Sequence, residues 1–204
     1  STMAIAEFRE RPECDAAILQ AMSKWSASVD NELSPNRLGD VADCIMHVGG
    51  KRHHLQALEH LFKIADRMPA ESTMDWFSVK FLLTICVTDG QGAFTLKEEF
   101  KNLSFTDELS NLLAKNLSSG TSKQRLFAYL LLTAIARDEE TRDDKSKTVR
   151  EAWQKEESLV LEPAFLAASE DENEEVRSLS ALFLAHLLHK NPVVRERLIA
   201  MIES

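Results

Sequence analysis

Residues that interrupt regular structure are scarce in this chain: six glycines and five prolines among 204 residues. That scarcity excludes collagen-like and loop-dominated architectures and favours long uninterrupted elements. Only three cysteines occur, Cys14, Cys44 and Cys86, too few for a disulfide scaffold. Each falls in an apolar helical pattern, so the thiols are expected to act as small buried hydrophobes in a reducing compartment, which places the protein inside the cell, in cytoplasm or nucleus. Basic residues are outnumbered, 24 Lys and Arg against 33 Asp and Glu, and the net charge of -9 repels a phosphate-bearing partner on average. No dense basic stripe offsets that field, so nucleic acid is disfavoured. Long apolar runs are missing as well. The most apolar stretch, 77–87, is broken by Lys80 and falls well short of the roughly 20 residues of a membrane span. The start, Ser1-Thr2-Met3, has no basic region leading into an apolar core and so does not read as a secretory signal.

What is present is a series of amphipathic helical patterns, with hydrophobic residues at 44%, enough to bury a substantial core. In 13–29, Ile18, Met22, Trp25 and Val29 recur at spacings of four, three and four, one face of a helix. Ser34-Pro35 is a helix start, with Leu38, Val41, Ala42 and Ile45 behind it and Gly49-Gly50 as the stop. A third helix over 52–68 carries Leu55, Leu58, Leu61, Phe62 and Ala65 and ends at Pro69. Ser72 and Asp75 open a fourth, nearly all apolar through Val87, followed by the turn Asp89-Gly90-Gln91-Gly92. Further helices are expected over 106–117, 121–137, 158–168, 173–189 and from Pro192 to Ile202, with Trp153 anchoring a short one. The segment 138–147 is charged, lacks apolar periodicity and reads as an exposed loop, while 1–12 is expected to be poorly ordered. No strand pattern occurs. The expectation is a single all-α domain over 1–204 with about 9–11 helices.

The chain also repeats itself. Phe81-Leu82-Leu83-Thr84 aligns with Leu130-Leu131-Leu132-Thr133, and Gln124-Arg125 with Val176-Arg177, so apolar helices recur roughly every 50 residues, the spacing of stacked helical hairpins. A hairpin with two apolar faces cannot bury both alone, so its neighbours must cover it. Leu161-Glu162-Pro163, then Asp171, Val176-Arg177, Ala181, Leu184 and Leu187, resembles a HEAT repeat. The resemblance is best over 158–189. The two earlier hairpins lack the Asp and Val-Arg positions in register and are equally armadillo-like. The resemblance implies a right-handed α-solenoid whose second helices line a concave face that grips a partner protein or peptide, with the aspartate and arginine tying adjacent repeats together.

Candidate binding residues follow from that expectation. Lys123, Arg125 and Tyr129 in one hairpin and Arg177 in the next would form a ridge for an acidic or helical peptide; the competing reading pairs Arg177 with Asp171 and puts Tyr129 in the core. Trp25, Trp76 and Trp153 read as packing residues. Cys44, His47, His53, His54 and His60 lack the spacing of a metal site, and His186 and His189 suit the dipole at a helix end. Gly49-Gly50-Lys51 follows a helix and lacks phosphate-loop spacing, the 89–92 turn lacks the ligands of a calcium loop, and no nucleophile motif occurs. No catalytic, cofactor or metal residue is therefore assigned. The carboxylates of 138–144 and 170–175 read as solvated turns, or as an attraction for a basic partner. The leading expectation is a non-catalytic protein-interaction scaffold. The rivals are an armadillo-type chaperone cofactor or assembly factor and a helical-repeat nucleic-acid binder. The amphipathic terminal helices leave room for self-association.

Overall fold

The computed structural model describes residues 11–29, 35–49, 52–67, 103–137, 151–155 and 158–188, together with residues 192, 195, 196, 199 and 200. Among them every regular element is helical. The expected helix over 72–87 and the charged loop 138–147 lie outside the described residues, as does most of 1–12. By compactness the chain divides into two units, 1–96 and 97–204.

In the first unit a 3₁₀ turn, Pro12–Cys14, leads into α1 (Asp15–Ala27), followed by α2 (Pro35–Gly49) and α3 (His54–Asp66). Pro35 stands at the first position of α2, where its fixed φ suits the helix and its missing N–H costs nothing. The three helices pack pairwise against one another. Their common core comes from the apolar spacing: Ile18 and Met22 from α1, Ala42 and Ile45 from α2, and Leu58, Leu61 and Phe62 from α3 are all buried. Each such leucine or phenylalanine contributes about 1.5–3 kcal/mol on leaving water. Gly49 does more than end α2. A Cβ there would lie 3.2 Å from both the Met22 sulfur of α1 and the Ala57 Cβ of α3, so the small residue lets three helices converge. Cys44 corrects one expectation, because it is exposed. Ala42 and Ile45 take the inward face of α2, and Cys44, two residues from Ala42 and so about 200° around the helix from it, points elsewhere.

Among the described residues the second unit holds two hairpins. The first is α4 (Leu103–Ser119) with α5 (Ser122–Arg137), and the second is α6 (Leu161–Glu170) with α7 (Glu174–Leu188). Residues 192, 195, 196, 199 and 200 are helical, as the terminal pattern predicts. Gly120 makes the tight turn between α4 and α5, since a Cβ there would collide with the Asn116 carbonyl oxygen. A reciprocal cap then starts α5: the Gln124 N–H donates to Thr121 Oγ1 at 3.3 Å, and the Thr121 N–H donates to Gln124 Oε1 at 3.0 Å. α5 is covered on all sides, with Leu126, Phe127, Tyr129, Leu131, Leu132 and Ile135 buried together. That matches its nearly continuous apolar sequence. α5 packs extensively against α7, whereas α4 and α6, the first helices of the two hairpins, meet much more sparingly.

Trp153, in the helical turn 151–153, is 1% exposed, and its indole N–H donates to Ser110 Oγ on α4 at 2.9 Å. Its ring meets Phe183 of α7 edge-on at 6.1 Å and 75°, and the neighbouring Gln154 amide donates to the Leu187 carbonyl at 3.2 Å. Trp153 is therefore a packing residue, and Trp25 is half-buried.

Candidate functional site

The aligned pairs Gln124-Arg125 and Val176-Arg177 put an arginine at the fourth residue of both α5 and α7. The two guanidinium groups converge on one aspartate. Arg125 donates from Nε to Asp171 Oδ2 at 2.8 Å, from Nη2 to Oδ1 at 3.1 Å, and from Nη1 to the Gly120 carbonyl at 2.9 Å. The pair is well withdrawn from water, with side-chain exposures of 18% for Arg125 and 7% for Asp171, while Glu172 at 3.7 Å from Nη2 is almost fully solvated. Bidentate arginine-carboxylate contact of this kind fixes geometry as well as contributing energy. Arg177 instead donates from Nη1 to the main-chain carbonyls of Asp171 at 2.5 Å and Glu172 at 3.3 Å. The turn between α6 and α7 is thus held from both sides. Asp171 Oδ1 also accepts the Asn173 N–H at 3.0 Å, and Asn173 Oδ1 caps α7 by accepting the N–H groups of Glu175 and Val176.

Tyr129 has no exposed surface, and its hydroxyl donates to the Pro163 carbonyl of α6 at 3.0 Å. Burial first, and the Asp171 carboxylate second, hold its hydroxyl well above the usual phenol range, with Arg125 opposing. The phenol therefore stays protonated as a donor. Of the four residues read as a ridge, Lys123 is half-buried on α5, and Arg125, Tyr129 and Arg177 are spent on joining α5, α6 and the 171–173 turn. The Asp171 side chain takes the arginine of the preceding hairpin, whereas Arg177, the expected partner, reaches only its backbone.

Open surface lies beside this tie. The sparse meeting of α4 and α6 leaves a cleft of about 700 Å³, floored by Ala114, Leu117 and Ala167. Leu159 and Leu166 line it at 52% and 49% exposure, with Glu162 and Glu170 also along it and Arg125 with Asp171 at its margin. A second cavity of about 320 Å³ continues from it, sharing Ser158 and Leu159 and reaching Asp107, Asn111 and Lys155. The residues of α4 that line the two cavities are 107, 110, 111, 114, 117 and 118, spacings that keep to one helix face. On the opposite wall, 162, 163, 166, 167 and 170 do the same on α6, with Leu159 in the turn just before it. The sequence reading missed this groove. Its only local signal is the pair of leucines left over at 159 and 166, outside the stripe formed by Leu161, Ala164 and Phe165.

The first unit carries two polar clusters. Asp15 accepts from Arg52 Nη2 at 2.8 Å and pairs with His53 Nε2 at 3.0 Å. His60 Nδ1 meets Ser26 Oγ at 2.9 Å, while that hydroxyl also donates to the Ser23 carbonyl and Arg67 Nη1 donates to the Ser26 carbonyl at 2.7 Å. Burial first, then the Lys63 charge, lowers the His60 pKa below the ordinary histidine value, with Glu59 opposing. A serine beside a histidine suggests a nucleophile, but Ser26 is 4% exposed and cannot meet a substrate, so the pair acts as an interhelical tie. Among the described residues no three His, Cys, Asp or Glu side chains gather to hold a metal ion, and no helix is long and apolar enough to cross a membrane. Compared with known proteins, the chain matches no protein-family model, no curated protein and no solved structure.

Proposed function

We propose that this chain is a non-catalytic interaction scaffold of HEAT/armadillo-like hairpins, which holds a segment of a partner protein against its helices. The observation that carries the reading is the ion pair between Asp171 and Arg125. It joins the turn of one hairpin to the second helix of the hairpin before it, the role that the resemblance implies for an aspartate and an arginine in adjacent repeats. A platform cross-tied in this way keeps its surface fixed and binds by complementarity, at little ordering cost. The first-helix side, where α4 and α6 leave a cleft lined by exposed leucines, supports that use better than α5, which is buried around its circumference.

Neither rival has an observation of its own. The nucleic-acid reading needs basic residues converging from successive second helices, and the guanidinium groups of Arg125 and Arg177 are committed to Asp171.

Affinity capture on the immobilised full chain, beside a chain carrying Arg125→Met and Asp171→Leu, tests the scaffold reading. Retention of one protein by the native chain, its reconstitution from purified components at micromolar Kd or tighter, and weakening in the untied variant are expected. Absence of any reconstituted complex would sink the reading.

A further inference from the structure

Resting on that reading and deepening it, we infer that the groove between α4 and α6 binds a basic amphipathic helix of about three turns from the partner protein. The shape of the groove selects a helix. α4 and α6 face each other as helices, and no strand occurs among the described residues, so no unpaired strand edge is offered to an extended peptide there and complementarity must come from side chains. The α4 stripe from residue 107 to 118 lines the two joined cavities over about 16 Å, the length of about three turns of an occupant, with α6 facing its 114–118 part and residues 152, 153, 155, 158 and 159 facing the rest. Ala114 and Ala167 are small enough to let a backbone approach the floor, and Leu159 and Leu166 supply half-open apolar anchors on one wall.

Charge selects the sign. Glu162 and Glu170 are exposed, and neither makes an ion pair among the described residues. Arg125, the cation at that end, is neutralised by Asp171. Lys155 lies at the other end, in the same cavity as Asp107, so the two offset one another there. Glu162 and Glu170 stand eight residues apart, about 12 Å along α6, so an occupant meets both with Lys or Arg residues seven or eight apart on the flank of its apolar stripe. A neutral or acidic amphipathic helix fills the same space without those two contacts.

A displayed library of 16-residue helical peptides, with a fixed Leu i, i+4 stripe and randomised flanks, is selected on the full chain. Enrichment of Lys and Arg at seven- or eight-residue separation is expected. Binding should weaken at least tenfold with Leu159→Ser/Leu166→Ser and about tenfold with Glu162→Lys/Glu170→Lys, and fall steadily with added salt. Leu182→Ser, which removes an exposed leucine outside the groove, should leave affinity unchanged, and circular dichroism checks that every variant is folded. Enriched peptides that are acidic, or that bind the groove variants as well as the native chain, would overturn the inference and leave the scaffold reading standing. Recovery of no binder overturns the inference, and if affinity capture also fails the scaffold reading falls with it.

Discussion

Replacing Arg125 by methionine keeps most of the side-chain volume on α5 and removes a guanidinium that makes two hydrogen bonds to Asp171, at 2.8 and 3.1 Å, and one to the Gly120 carbonyl. A hydrogen bond to a charged partner is worth about 1.5–3 kcal/mol. The two contacts to Asp171 share one partner and do not simply add. Because the Asp171 side chain is 7% exposed, its carboxylate would be left buried, with the Asn173 N–H as its remaining donor of those seen here, and breaking such a pair costs about 3–5 kcal/mol. Partial exposure of Arg125 moderates this, so we expect Arg125→Met to cost about 3 kcal/mol. Arg125→Met combined with Asp171→Leu removes both charges together and should cost about 2 kcal/mol, less than the sum of the single changes by at least about 1.5 kcal/mol. Urea unfolding followed at 222 nm gives the cycle, and hydrogen exchange of the amides in 122–137 reports the same tie locally. Single costs that add to within about 0.3 kcal/mol, or an Arg125→Met cost under about 0.5 kcal/mol, would refute the argument that the ion pair joins the hairpins.

Three further outcomes are expected. His60 has a lowered pKa in the folded chain, so the unfolded state takes up a proton first as pH falls; stability is retained above about pH 6.5 and declines below it, and His60→Gln should flatten that decline in urea midpoints measured between pH 7 and 5. Asn173→Ala removes the acceptor for two N–H groups at the start of α7 and should cost about 1 kcal/mol, with Asn173→Asp restoring most of it; equal loss in both would show that capping is not the cause. Trp153→Phe gives up the 2.9 Å bond to Ser110 and part of a fully buried ring, an expected loss of about 2 kcal/mol read from thermal melts, whereas an unchanged melt would deny Trp153 its place between α4 and α7.

Helix positions were legible from the sequence because they follow from periodicity and local chemistry. Pro35, Gly120 and the Thr121-Gln124 cap each act within a turn of their own chain, so α2, α4 and α5 begin or end beside them. The all-apolar character of α5 also announced that other helices must surround it. Pairing between distant residues was a different matter. Asp171 and Arg177 are six apart and looked like partners, yet the carboxylate turns to Arg125, 46 residues away, because packing α5 against α7 brings that guanidinium into line with both oxygens. Tyr129 could not be told from a surface residue by its spacing alone, since a phenol serves either place, and only the arrival of the Pro163 carbonyl decides it. The groove is the clearest case. Leu159 and Leu166 are ordinary leucines in sequence, and their exposure arises because α4 and α6 stay apart where α5 and α7 close up. One-dimensional patterns determine which faces are apolar, through the 3.6-residue turn; which apolar faces remain uncovered depends on how far neighbouring helices approach, and that distance is set by side-chain volumes contributed from several elements at once.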